Sequence, residues 1–181
     1  SRRVFELRRE GKIQEALNHI DLDKIQISGH EVSYLDPKLS IDLGAIAKGY
    51  TAQLAKEALN KAGLTNGYIN AGGNVVLLGE KEDGTNWKIG IQSPDASDAL
   101  VQYSTKKATC LVTSGDYQRY FTYKNKKYSH IIDPKTGYPA NYVRSVTVIT
   151  KDSGKADALS TTLFCMSVED GKKYLSTLDY D

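Results

Sequence analysis

The chain has 181 residues, 40% of them hydrophobic and 25% charged, with a net charge of +2. Those values fit one globular domain, or one and part of another, and the small net charge gives no electrostatic case for binding nucleic acid. No apolar run approaches the ~20 residues of a membrane-spanning helix.

Residues 1–20 read as a charged helix, VFELRREGKIQEALNHI, with Gly11 its weak point and the basic residues of segment 2–9 a solvated face. Segment 21–41 is irregular; KIQIS and EVSYL read as one hairpin or two short edge strands around a Pro37 turn. A helix is expected over 45–62, because Ile46, Tyr50, Leu54 and Ala58 recur every four residues, Leu59 widens that face, and Gly63 supplies a stop. Strands follow at 67–70 and 75–78, then a polar loop at 80–86 and a returning strand at 87–91. A turn at 94–99 leads into strands at 100–105, 108–114, 117–123 and 127–132. VRSVTVIT, residues 143–150, is β-branched almost throughout and reads as a strand. Helices at about 153–167 and 168–178 close the chain. This order predicts an α+β fold with a mixed, largely antiparallel sheet and helices packed on it. Twelve tyrosines against one Trp and three Phe suit half-buried strand positions.

The two cysteines, Cys110 and Cys165, sit in apolar runs and read as buried free thiols, with a disulfide left open. Ser1 is not an initiator methionine and no signal peptide is seen, so the chain is expected to be a processed or trimmed product.

Segment 41–50, IDLGAIAKGY, carries the most chemistry. An acidic residue, Asp42, leads through a Gly/Ala turn into a helix whose first N–H groups lack partners, an arrangement that suits an anion. Lys48 in the first turn adds positive charge, and Asp42 is a candidate helix cap. NAGGN, residues 70–74, sets Gly72 and Gly73 directly after a strand, where backbone can approach a ligand or simply turn. It is neither a dinucleotide fingerprint nor a Walker loop. Ser114 and Gly115 close an apolar strand as ligand-bonding groups or a plain turn; no G-x-S-x-G surrounds them. His130 precedes the turn sequence DPKTG, well placed for proton transfer or equally for a structural hydrogen bond. Asp157 and Thr161 stand four apart on a predicted helix, two oxygen donors on one face that suit Mg²⁺ or Ca²⁺. The plain alternative is an acid favouring the helix dipole and a Thr bonding back to a carbonyl. Converging, these segments would make a site for a phosphorylated ligand with a hard metal ion.

IDLGAIAKGY, YINAGGN, TSGDYQRYF with KKYSHIIDPKTGYP, and SVTVI with ADALSTTLF occur in this order in one family. From about residue 20 to 178 the chain resembles the ApbE-type FAD:protein FMN transferases, also called thiamine biosynthesis lipoproteins. The resemblance implies an ApbE-like (T-fold-like) architecture. It also implies a Mg²⁺-dependent enzyme that moves FMN from FAD to a Thr or Ser of a target flavoprotein and releases AMP. Asp157 and Thr161 would then bind the metal by side chains and Ala47 by its carbonyl, with His130 the base. Lys48, Gly72, Gly73, Ser114, Gly115, Asp133 and Thr136 would line the flavin dinucleotide. An extracytoplasmic, membrane-tethered address in a bacterium is implied too, the tether outside this segment. Family members extend further at both ends, so residues 1–181 are expected to form a single but partial domain, truncated at the N-terminus. Hydrolysis of FAD to FMN and AMP, or non-catalytic FAD binding, are the alternatives.

Overall fold

The computed structural model describes residues 6–7, 10–117 and 119–179. In chain order the elements are α1 (Ile13–Leu17), β1 (Ile25–Ser28), β2 (Glu31–Tyr34), α2 (Ala47–Lys61), β3 (Tyr68–Asn70), β4 (Asn74–Leu77) and β5 (Trp87–Gln92). Then come β6 (Ala99–Thr105), β7 (Cys110–Gly115), β8 (Tyr120–Tyr123), β9 (Lys126–Ser129), β10 (Ser145–Thr150), α3 (Ser153–Phe164) and α4 (Val168–Leu175). Every pairing between these strands is antiparallel, as the α+β reading requires.

Two compact units result. One comprises Ser1–Asp42 with Arg119–Ala140, the other Leu43–Gln118 with Asn141–Asp181. The first unit holds α1 and two hairpins. In β1–β2, Ser28 pairs with Glu31, and Gly29 takes the first corner of the two-residue turn at φ +59°. In β8–β9, Lys124 and Asn125 both lie at positive φ, the arrangement that matches strand twist in a two-residue turn. Gly137 lies so close to α1 that an added Cβ would fall 2.7 Å from Ile13 Cγ2.

The second unit is built on a four-stranded sheet ordered β10-β7-β4-β3. Its central strands are the most apolar and the most buried: Val76, Cys110 and Val112 are 0% exposed. Strand alternation gives the sheet two unlike faces. The pairs Val76↔Cys110 and Asn74↔Val112 place those residues, with Ser114, on the face that carries α2 and α3. Ala52 of α2 completes a core cluster with Val76 and Cys110. Burial pushes the Cys110 thiol pKa up, and neither cysteine is in a disulfide, Cys165 being half-buried. On the opposite face, a cleft of about 710 Å³ opens among Tyr68, Leu77, Lys81, Trp87 and Ile89, and none of the candidate site residues lines it.

Several expectations need correction. Residues 1–20 are not one helix: Glu6 and Leu7 are helical, but Gly11 at φ +69° ends that turn, with Lys12 N–H returning to the Leu7 carbonyl at 2.8 Å. The basic residues of segment 2–9 lie outside the described residues. The expected buried stripe of α2 is exposed, Tyr50 at 57% and Leu54 at 47%. The packed face is Gly49 and Ala52, because only small residues let α2 approach α3 closely. Asp42 does not cap α2, whose N-cap is Ile46 without a side-chain bond. Residue 117 belongs to a turn rather than to a strand, and β9 stops at Ser129. The C-terminal stop of α2 is as expected: Gly63 sits at φ +87°, its N–H bonding Asn60 O and that of Leu64 bonding Leu59 O.

Candidate metal and phosphate site

The site grows from the first turn of α2. Ile46 and Ala47 direct their N–H groups to the Leu43 carbonyl, at 3.0 and 2.8 Å. The Gly49 N–H is answered from 108 positions away, by Asp157 Oδ2 of α3 at 2.8 Å. An intramolecular carboxylate thus occupies part of the anion-attracting end that the sequence presents. The approach depends on glycine: a Cβ on Gly49 would lie against the Ser153 carbonyl oxygen and 2.5 Å from Asp157 Cβ. Asp157 therefore stands within one helical turn of the Ala47 carbonyl.

Asp157 is 4% exposed, and among the described residues no Lys or Arg pairs with it. A buried carboxylate without a counter-charge is costly unless it is hydrogen-bonded, neutralised or given a cation. Asp157 is not serving as a helix cap either; Asp152 does that for α3, accepting from the Lys155 N–H at 2.9 Å. Thr161 does bond back, its hydroxyl lying 3.3 Å from the Asp157 carbonyl, and it also lies 3.2 Å from Ser114 Oγ. Ser114 in turn meets Ser160 Oγ at 2.8 Å. Carboxylate, hydroxyls and the nearby carbonyl form an all-oxygen donor set, the type that hard cations take. Among the described residues no group of three or more His, Cys, Asp or Glu is placed to hold a metal ion. The residues present fit Mg²⁺.

Lys48, in the same first turn of α2, donates from Nζ to the Gly72 carbonyl at 3.4 Å. Gly72 and Gly73, at φ +59° and +99°, turn β3 into β4. The plain-turn reading of NAGGN is realised, and the turn lies beside a lysine at a helix start. Gly115 ends β7 against Ser145, with no room for a Cβ beside the Tyr117 ring. Burial raises that phenol's pKa, and the charge of Asp116 adds to the effect.

The structure therefore gathers Ala47, Lys48, Gly72, Gly73, Ser114, Gly115, Asp157 and Thr161 in one unit. His130, Asp133 and Thr136 belong to the other. His130 is exposed, and its Nδ1 lies 3.0 Å from the Arg119 carbonyl. A carbonyl only accepts, so Nδ1 carries the proton and Nε2 is the basic nitrogen. Asp133 is buried and organises its turn, Oδ1 accepting from the Lys135 N–H at 2.8 Å and its carbonyl from the Gly137 N–H at 2.8 Å. Thr136 Oγ1 accepts from the Tyr138 N–H at 3.3 Å.

A model described as the ApbE family matches residues 2–181. The chain belongs to the ApbE family. It is 44% identical over 137 residues to an FAD:protein FMN transferase of Klebsiella pneumoniae, a match covering 75% of this chain and 42% of that protein. It is 38% identical over 152 residues to one of Vibrio cholerae, covering 83% and 46%. The crystal structure of an ApbE protein from Thermotoga maritima superposes with a TM-score of 0.82 at 37% identity, covering 92% of this chain and 53% of that one. The chain thus spans about half the length of the relatives it matches.

Two residues beside these candidates escaped sequence reasoning. Gly49 lies inside the quoted helix-start motif, but a helical glycine reads as a weak spot, not as a point of helix contact. Asn74 lies inside NAGGN, yet nothing local marks it as facing the helices. The signal available was its polarity at the head of the apolar strand NVVL.

Proposed function

We propose that the protein transfers FMN from FAD to a Thr or Ser hydroxyl of a target flavoprotein, in a Mg²⁺-dependent reaction that releases AMP. The observation that carries this reading is the buried Asp157 carboxylate, without a basic partner among the described residues, bonded to the start of α2, with Thr161 and Ser114 in contact one turn along α3. Family membership supports the flavin donor.

Asp157, Thr161 and the Ala47 carbonyl would hold the metal. When bound, the ion offsets the pyrophosphate charge that repels an incoming hydroxyl and spreads charge as AMP departs. Lys48 adds a point charge for a phosphate oxygen. In the transfer, the acceptor oxygen bonds to the FMN phosphorus while the bond from that phosphorus to the bridging oxygen breaks, and AMP leaves with the bridging oxygen. The hydroxyl proton goes to a base. His130 takes that role in this reading, its ring anchored through Nδ1 so that Nε2 receives the proton, a contribution typically of ~10²–10⁴ in rate. The extracytoplasmic, tethered address goes with the family resemblance.

The test is mass spectrometry of an acceptor peptide after incubation with FAD and Mg²⁺. A mass gain equal to FMN, lost in Asp157→Ala, is expected. No gain with the parent protein refutes the transfer, and AMP without peptide labelling assigns hydrolysis instead.

A further inference from the structure

Asn74 is 0% exposed, and neither Nδ2 nor Oδ1 of its carboxamide has a hydrogen-bond partner. Leaving both ends of a buried amide unmade is costly, and such atoms are normally satisfied by protein, water or ligand. The side chain shares the helix-facing side of the sheet with Val76, Val112 and Ser114.

Its position along α2 follows from contacts at both ends. Gly72, just before β4, meets Lys48 at the start of α2. Gly79, just after β4, has no room for a Cβ beside Thr65, beyond the end of α2. Strand and helix therefore run the same way, and Val76 stands at Ala52. Two strand residues back from Val76 is about 6.6 Å; three helical residues back from Ala52 is about 4.5 Å. Asn74 thus lies at the level of the first turn of α2, where the Gly49 N–H meets Asp157. Opposite it is Val112, and the next residue on that face, Ser114, reaches Thr161.

We infer that Asn74 is a further positioning residue of the cation site, its carboxamide holding a water bound to the ion that Asp157 takes. The inference rests on the metal reading above. An amide orphaned without the ion becomes satisfied with it, so the ion's binding energy settles a buried polar group as well as a buried charge. Outer partners of this kind typically contribute 10–100-fold to metal affinity.

The test uses the purified chain and cation binding alone. Mn²⁺ is titrated and followed by electron paramagnetic resonance, and thermal unfolding is recorded with and without Mg²⁺. The parent protein is expected to bind Mn²⁺ and to gain thermal stability with Mg²⁺. Asn74→Leu, similar in volume and apolar, should unfold at a higher temperature than the parent without Mg²⁺ and bind Mn²⁺ at least tenfold more weakly. Asn74→Asp keeps an oxygen in place and adds charge, so it should bind Mn²⁺ more tightly and gain more from Mg²⁺. Asn74→Leu binding Mn²⁺ within twofold of the parent overturns the inference and leaves the metal reading standing. Should the leucine variant fail to fold, Asn74→Asp decides: affinity unchanged or weaker overturns the inference. A parent protein that binds no Mn²⁺ overturns both.

Discussion

Gly49→Ala is the sharpest probe of the site's foundations. In an ordinary helix interior this change stabilises by about 1 kcal/mol, because alanine has the better propensity. Here the new methyl would sit 2.5 Å from Asp157 Cβ and against the Ser153 carbonyl, whereas carbon–carbon contacts settle at about 3.5–4.0 Å. The obstacle includes backbone, so α2 and α3 must separate by roughly 1 Å. Such overpacking costs about 1–3 kcal/mol. The separation also weakens the 2.8 Å bond from the Gly49 N–H to Asp157 Oδ2, and a hydrogen bond to a charged group is worth about 1.5–3 kcal/mol. Set against the propensity gain, the net is a loss of about 1.5–5 kcal/mol, the upper end applying if the bond is lost outright. With a urea slope of about 2 kcal/mol/M, the midpoint falls by roughly 0.8–2.5 M. Trp87, the only tryptophan, lies in the same unit and reports the transition by fluorescence. A Gly49→Ala protein as stable as its parent, or more so, refutes the close packing of α2 on α3.

Two further outcomes are expected. Cys110 is fully buried and its thiol pKa is raised. At pH 8, native protein should therefore lose Cys110 to a thiol reagent at least ~10²-fold more slowly than urea-unfolded protein, and equal rates by peptide mapping would contradict that burial. His19 Nδ1 bonds Asp36 Oδ2 at 2.6 Å, and chiefly for that reason the carboxyl titrates below its ordinary 3.8. A depressed carboxyl stabilises fully above the unfolded value and loses its contribution as pH falls below 3.8 through the folded value. Carboxyl NMR should show the Asp36 midpoint moving up in His19→Ala; an unmoved midpoint removes His19 as the cause.

What the sequence revealed was mostly local. The helix start at AKGY, the Gly63 stop and the β-branched run SVTVIT announce themselves within a few residues, through propensity and turn chemistry. The Asp157/Thr161 pair is legible from helical spacing, and the structure bonds Asp157 to the Gly49 N–H in the first turn of α2 and sets Thr161 against Ser114. What stayed hidden was decided at long range. Four-residue periodicity in α2 picked out Ile46, Tyr50 and Leu54, but the packed face is the small one, chosen by how near α3 must come. The order β10-β7-β4-β3 depends on pairings between distant segments, for which no local pattern codes. Gly11 reads as a weak point, but whether it breaks a helix depends on what packs around it.

The Gly49–Asp157 bond also orders events in time. During synthesis, the N-terminal half of this pair leaves the ribosome 108 residues before its partner. At ~5–20 residues per second that gap is roughly 5–20 s. Through that interval the nascent polypeptide offers a helix tip and no carboxylate to meet it. Asp157 therefore joins the tip of α2 late, after β3, β4 and β7 have emerged and only just behind β10.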